Sequence, residues 1–183
     1  MKRSAGILAY RWRDEPELFL VHPGGPFWKN KDDGSWSIPK GEIDPDENPL
    51  RAALREFQEE TGQAIDGDFV PLDPVKIASG KVIEAWAVEQ DLDASAIASN
   101  TFEIEWPPRS GKRQAFPEVD RAAWFTGPIA LQKITPGQVP LLLQLLDRLG
   151  APTPPASPPA ESKRPRARPG TGARRTAASK RAR

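Results

Sequence analysis

Apolar and polar positions along this chain follow two rhythms, one of two residues and one between three and four. SAGILAYR at 4–11 and ELFLVH at 17–22 are apolar runs flanking the polar turn RDEP, and they predict a hairpin. Leu50, Ala53, Leu54 and Phe57 recur at i, i+3, i+4 and i+7, which places them on one helix face. Asn48 suits the N-cap of that helix, Pro49 its first position and Gly62 the left-handed residue that ends it.

Around this helix, SWSIPKGE at 35–42 predicts a short strand leading into it, and 64–73 a loop with a short strand. Lys76–Ser79 and Val82–Gln90 read as two strands broken at Gly80, and 91–98 as a connector. TFEIEW at 101–106 alternates and predicts a strand. Arg121–Phe125 predicts a strand with Trp124 inward, and Gly127–Lys133 a short helix. Val139, Leu142, Leu143, Leu145 and Leu146 predict a closing helix over Pro136–Leu149, its start left open by Pro140. Residues 22–34 and 107–120, rich in Gly, Pro and charge, are expected to be loops.

From Ala151 the apolar rhythm stops. Residues 151–183 hold no Val, Ile, Leu, Met, Phe, Trp or Tyr, so they cannot bury enough surface to offset the entropy of ordering. We therefore expect one domain over 1–149 and a disordered basic Pro/Ala/Arg-rich tail over 150–183. The overall charge of +1 conceals this division. Residues 151–183 carry nine Lys or Arg and one acid, whereas the rest carries 17 basic and 24 acidic residues. Such a tail could bind nucleic acid or another polyanion weakly and without base selectivity, having no aromatic to stack. A merely solubilising tail is the plain alternative. The absence of cysteine excludes disulfides, thiolate metal sites and a catalytic thiol. No apolar run approaches a membrane span, so a cytoplasmic protein is expected.

The helix also carries acids in a pattern. At about 100° per residue, Glu56, Glu59 and Glu60 share an arc of roughly 100°. Gathered carboxylates repel and ask for a cation, and their hard oxygens suit Mg²⁺ or Mn²⁺. An acidic run alone is more often a solvated face. The wider spacing weighs against that reading. Gly41, Glu47, Arg55-Glu56, Glu59-Glu60 and Gly62 are seven fixed positions, and a chance match at ordinary usage is about a few in a billion per window.

That spacing resembles the Nudix box, the signature of the Nudix hydrolases. The stretch Trp36–Gly41, W-x-x-P-K-G, resembles the family's approach to the box. The resemblance implies an α/β fold, a mixed β-sheet sandwiched between helices, with the box as loop–helix–loop. It implies divalent-metal-dependent hydrolysis of a nucleoside diphosphate linked to a further group. Phe57, where a smaller aliphatic residue is usual, and Gln63, in place of an apolar one, depart from the pattern.

On this basis Glu56, Glu59 and Glu60 are the expected metal ligands, with Glu59 a ligand or the water-activating base and Glu56 also catalytic. Lys40, Gly41 and Trp36 are expected at the substrate, Lys40 through a phosphate oxygen. Arg55 and Glu47 are expected to orient the carboxylates. Glu118 is a possible extra acid, against the plain reading of a surface carboxylate. His22, the one histidine, reads more readily as a satisfied structural residue. Tyr10, Trp28 and Trp36 could stack on a base, although packing is the commoner use. The PKGE sequence resembles the branch acting on dinucleoside polyphosphates. Removal of pyrophosphate from RNA 5′ ends and non-catalytic nucleotide sensing are the alternatives. Specificity is expected from loops 22–34 and 107–120.

Overall fold

The computed structural model describes residues 2–152, so the expected basic tail lies, from residue 153 on, outside the described residues. The paired apolar runs form strands β1 (Arg3–Trp12) and β2 (Pro16–Pro23), an antiparallel hairpin with Tyr10 opposite Leu18. The remaining elements are β3 (Lys40–Glu42), α1 (Pro49–Thr61), β4 (Val70–Pro71), β5 (Val75–Lys76) and β6 (Val82–Glu89). These are followed by β7 (Thr101–Glu105), β8 (Arg113–Pro117), β9 (Val119–Thr126), α2 (Gly127–Lys133) and α3 (Val139–Arg148).

The main sheet runs β4-β6-β1-β2-β9, with β3 added on β1 and β5 on β6. The β1–β6 pairing is parallel and the others are antiparallel, so the sheet is mixed. Its central strand β1 is buried on both faces, which is why GILA reads as a continuous apolar run. Ala5, Ile7 and Ala9 join Phe19, Val21 and the α1 residues Ala52, Ala53 and Phe57 in one core. Leu8 joins Leu18, Leu20, Ile83 and the α3 residues Leu141, Leu142, Leu145 and Leu146 in the other. Helices therefore cover both faces, giving the α/β/α sandwich. Among the described residues no helix is long and apolar enough to cross a membrane.

The structure differs from the sequence expectations in four places. Residues 107–120 are not one loop: Arg113–Pro117 form β8, antiparallel to β7 in a separate two-stranded sheet, and β9 begins at Val119. RQAFP is almost wholly exposed and pairs with one neighbour, so no buried face imposes an alternation. The strand expected at Lys76–Ser79 is the shorter Val75–Lys76, because a turn closes from Gly80 N–H to Ile77 C=O. Residues 35–42 contribute a full strand only at Lys40–Glu42, with single bridges from Trp36 and Ser37. The closing helix begins at Val139 after a 3₁₀ turn over Pro136–Gln138, with Pro140 in its first turn, where no N–H is required.

Candidate active site

Helix α1 is fixed at both ends by its own sequence. Asn48 Oδ1 accepts from Leu50 N (3.0 Å) and Arg51 N (3.2 Å), and Pro49 begins the first turn. Gly62 takes φ 73° and donates its N–H to Gln58 O at 2.8 Å. Phe57 seats the helix on the sheet, its ring centroid 6.2 Å from that of Phe19, so the larger residue at this position is accommodated by core packing. Gln63 exchanges hydrogen bonds with the backbone of Asp93, tying the 91–98 connector to the end of α1.

Strand β3 pairs with β1 at Ala5–Gly41 and Gly6–Lys40, which brings the Lys40–Gly41 backbone beside α1. Glu60 Oε2 accepts from Lys40 N–H at 3.1 Å. At Gly41 the fit is closer: a Cβ there would overlap the Glu56 carboxylate. Glycine thus lets the carboxylate lie against the strand backbone, and a side chain here would displace the end of Glu56.

Arg55 organises the outer side. Its Nε and Nη2 grip the two Glu47 oxygens at 3.1 and 3.0 Å, Nη2 also donates to Glu42 O at 3.1 Å, and Nη1 donates to Glu56 Oε1 at 2.7 Å. The bidentate grip and planar fork are features lysine cannot reproduce. Arg55 holds the Glu47 carboxyl below the usual range, and its own pKa is raised, most by Glu47. Helical geometry sets Arg55 on the side of Glu59 away from Glu56, yet the long guanidinium reaches back to Glu56.

Burial raises the Glu56 carboxyl. Arg55 opposes this, and the charges of Glu59 and Glu118 add to it. Glu60 is pushed up to about 8, first by burial, against the Lys40 charge and N–H, with Glu56 and Glu118 adding repulsion. Burial lowers the Lys40 ammonium, and Glu60 counters it. Glu118, at the β8–β9 junction, is thus exposed and yet within electrostatic reach of Glu56 and Glu60. Glu59 leans outward, its side chain 38% exposed and 3.5 Å from Arg55 Nη1.

Among the described residues no three His, Cys, Asp or Glu side chains stand as a finished cation cage. Arg55 donates to Glu56 and Glu59, and Lys40 N–H donates to Glu60. The donor set nevertheless fits a hard divalent ion. It offers only oxygens, one carboxylate is cradled over Gly41, and another resists ionisation in its buried place, a tendency that a neighbouring cation reverses.

Other expected residues stand apart. Trp36 is 4% exposed, with Nε1 donating to Asp32 at 2.8 Å and its ring in T-shaped contact with His22 and Phe125, and what remains open of it lines a shallow cavity with Arg121 and Lys133. His22 is fully buried with Nδ1 2.9 Å from Asp120 and Nε2 2.8 Å from Lys31 O, a satisfied structural residue. Tyr10 packs on the α3-side core. Trp28 is 38% exposed, with the Lys31 ammonium 4.5 Å from its ring centre. Trp124 lies on the α1 side, half-buried, its Nε1 donating to Leu92 O. Two features escaped the sequence reading. Gln138, buried, holds Ile38 N and Ser37 through its amide and so fixes the segment before β3. Trp106, Gln114 and Phe116 line a cavity formed with loop 22–34; the sequence pointed to segments 22–34 and 107–120 for specificity, but not to these side chains or to a cavity between them.

Comparison with known proteins adds a decisive match: the sequence model of the NUDIX domain aligns with residues 2–145. This chain belongs to the NUDIX domain family. A Caenorhabditis elegans Ap4A hydrolase binary complex has a similar fold, with TM-score 0.58 and 19% identity, covering 82% of this chain and 98% of that one. The NUDIX domain of Shewanella oneidensis NrtR complexed with ADP ribose matches with TM-score 0.56 and 20% identity, over 80% and 87% of the two chains. At these identities the likeness shows the NUDIX fold alone. A rat asymmetrical bis(5′-nucleosyl)-tetraphosphatase is 67% identical over 27 residues, 15% of this chain and 18% of the rat protein. A Myxococcus xanthus octanoyltransferase is 30% identical over 101 residues, 55% of this chain. This NUDIX chain spans a quarter or less of the length of these curated relatives.

Proposed function

We propose that this chain hydrolyses a phosphoanhydride bond in a nucleotide, of the dinucleoside polyphosphate or nucleoside triphosphate type, with Mg²⁺ or Mn²⁺. The observation that carries this reading is the Glu56 and Glu60 pair set against the Lys40–Gly41 backbone, with Arg55 fixing Glu56 from outside. Family membership and the short stretch shared with the rat tetraphosphatase support it.

A phosphoanhydride resists water because its negative oxygens repel the nucleophile. A divalent ion would neutralise those oxygens and lower the pKa of bound water. Glu56 and Glu60 would hold it, with Glu59 as a further ligand or as the base that takes the proton of the attacking water. The water oxygen bonds to phosphorus as the bridging P–O bond breaks, and the leaving phosphate carries the charge away. Lys40, its ammonium made easier to deprotonate by burial, binds a phosphate oxygen. Arg55 keeps Glu56 aimed and Glu47 holds Arg55. Glu118 would supply a further acid from the β8–β9 junction.

The test is turnover of diadenosine tetraphosphate, nucleoside triphosphates and ADP-ribose by the full chain with Mg²⁺, with products resolved by chromatography. We expect turnover of at least one, and its loss by a factor of at least about 10³ in Glu56→Gln/Glu60→Gln. Undiminished turnover in the double variant would sink the mechanism. Tight binding without turnover of any would make this a nucleotide-binding domain instead.

A further inference from the structure

The cavity lined by Trp106, Gln114 and Phe116, of about 550 Å³, opens between loop 22–34 and the β7–β8 hairpin. Trp106 and Phe116 bring aromatic surface to it, Gln114 brings an amide and Lys29 an ammonium. Phe27, 61% exposed, meets the Trp106 ring edge-on at 5.5 Å and extends the aromatic rim. An exposed phenylalanine on a charged loop is poorly explained by core packing, because it buries little of its own surface.

The two walls are built to meet. Gly24 N–H donates to Glu118 O at 2.9 Å, and a Cβ at Gly24 would overlap the Pro117 carbonyl. Gly25, at φ 92°, sits where a Cβ would lie 3.0 Å from the Phe102 ring. Both glycines let the loop lie flat on the hairpin, so the cavity is a defined feature of the fold.

Its lining and its connection to α1 bear on what it could hold. Pro117 closes one side of the cavity, and the next residue, Glu118, is tied to α1 through Asn100: Glu118 N–H donates to Asn100 O and Asn100 N–H donates to Glu59 O, each at 2.9 Å. A ligand with its phosphates at α1 and its base in this cavity would pass Glu118. The lining combines flat aromatic sides and the Gln114 amide with two charged groups, the Lys29 ammonium and the Asp120 carboxylate, the latter 2.9 Å from His22 Nδ1. Aromatic faces beside polar groups suit a planar heterocycle with hydrogen-bonding edges, and stacking on such faces tolerates any base. We propose that this cavity receives the nucleobase of the substrate, stacked on Trp106 with Gln114 at its edge. The inference rests on the reading of α1 as a nucleotide hydrolase site and adds the residues that choose nucleotides over base-free polyphosphates.

The test is binding, so that it survives a failure of the hydrolase reading. Adenosine 5′-monophosphate is titrated into the ¹⁵N-labelled full chain without divalent metal, and the Trp indole N–H signals are followed, with Trp106 assigned by Trp106→Phe. We expect the Trp106 signal to shift. Trp106→Ala should weaken binding at least about fivefold and Trp106→Phe should recover most of it. Affinity for inorganic tripolyphosphate should stay within about twofold in all three proteins. Gln114→Ala, on an exposed strand, gives a second variant that does not depend on refolding of the aromatic wall, and it should weaken the nucleotide alone. An unmoved Trp106 signal, or equal weakening of tripolyphosphate and nucleotide, would overturn the proposal. Absence of turnover with Trp106-dependent nucleotide binding would overturn the hydrolase reading and leave this one standing.

Discussion

The two faces of the central sheet use burial for opposite ends. Beneath α3, Leu141, Leu142, Leu145 and Leu146 meet Leu8, Leu18 and Leu20 in an apolar layer. Beneath α1, Ala52, Ala53 and Phe57 make a comparable layer, but at its margin Glu56, Glu60 and Lys40 are drawn from water as well. Desolvated charges oppose folding unless they are paired, and here the pairing is partial. The α3 face thus stabilises the fold, and the α1 face gives up some stability to hold groups whose charges await a partner.

That contrast can be broken from either side. On the α3 face, Leu142→Ala removes a fully buried side chain and should cost about 2–5 kcal/mol of unfolding free energy, measured by urea denaturation. Per folded molecule, kcat should remain near that of the parent chain. On the α1 face, Gly41→Ala drives a methyl into the Glu56 carboxylate. It should lower kcat on the order of a hundredfold with little change in the urea midpoint, since displacement by about 1 Å is enough. A fall in stability matching the fall in rate would show that Gly41 serves folding instead.

Titration sharpens the comparison further. The folded-state pKa of Glu60, about 8, lies above the ordinary value of 4.5, so the folded chain holds this proton more tightly than the unfolded chain does. That contribution to stability is complete below about pH 4.5 and is lost as pH rises through about 8. The Tm of metal-free protein should therefore fall across this window. Glu60→Gln should flatten the slope and Mg²⁺ should raise Tm most at its alkaline end. Calorimetry over a pH series with chelator decides it, and an unchanged slope in Glu60→Gln would remove Glu60 as its source. The smallest effect is expected outside both faces. Deleting residues 151–183 should leave kcat on a dinucleotide unchanged at moderate salt, whereas an enzyme acting on RNA ends should lose rate.

What was legible in the sequence follows the same division. Helix α1 could be read residue by residue because caps, apolar stripe and acids all lie within one local period. The strands buried on two faces, β1 and β2, were legible as apolar runs. Strand β8 was not, because RQAFP faces solvent and owes its pairing to β7. Glu118 was a weak candidate because its relation to α1 exists only once β8 and β9 are in place. Trp36, beside the box in sequence, suggested substrate contact; in the fold its indole is almost wholly buried and meets the His22 ring at 5.2 Å. Side-chain direction at a strand edge is settled by tertiary neighbours, which spacing along the chain does not encode.

The parallel, in-register pairing of β1 with β6 sets the order in which the molecule can assemble. Arg3 must find Val82, and Tyr10 must find Glu89, across some eighty residues of intervening chain. Contacts so remote in sequence close slowly, whereas α1 needs only its own neighbours to begin coiling. During synthesis the opening hairpin therefore waits, one edge of β1 bare, until residue 89 has left the ribosome. A release before that point would leave the central strand of the main sheet without one of its partners.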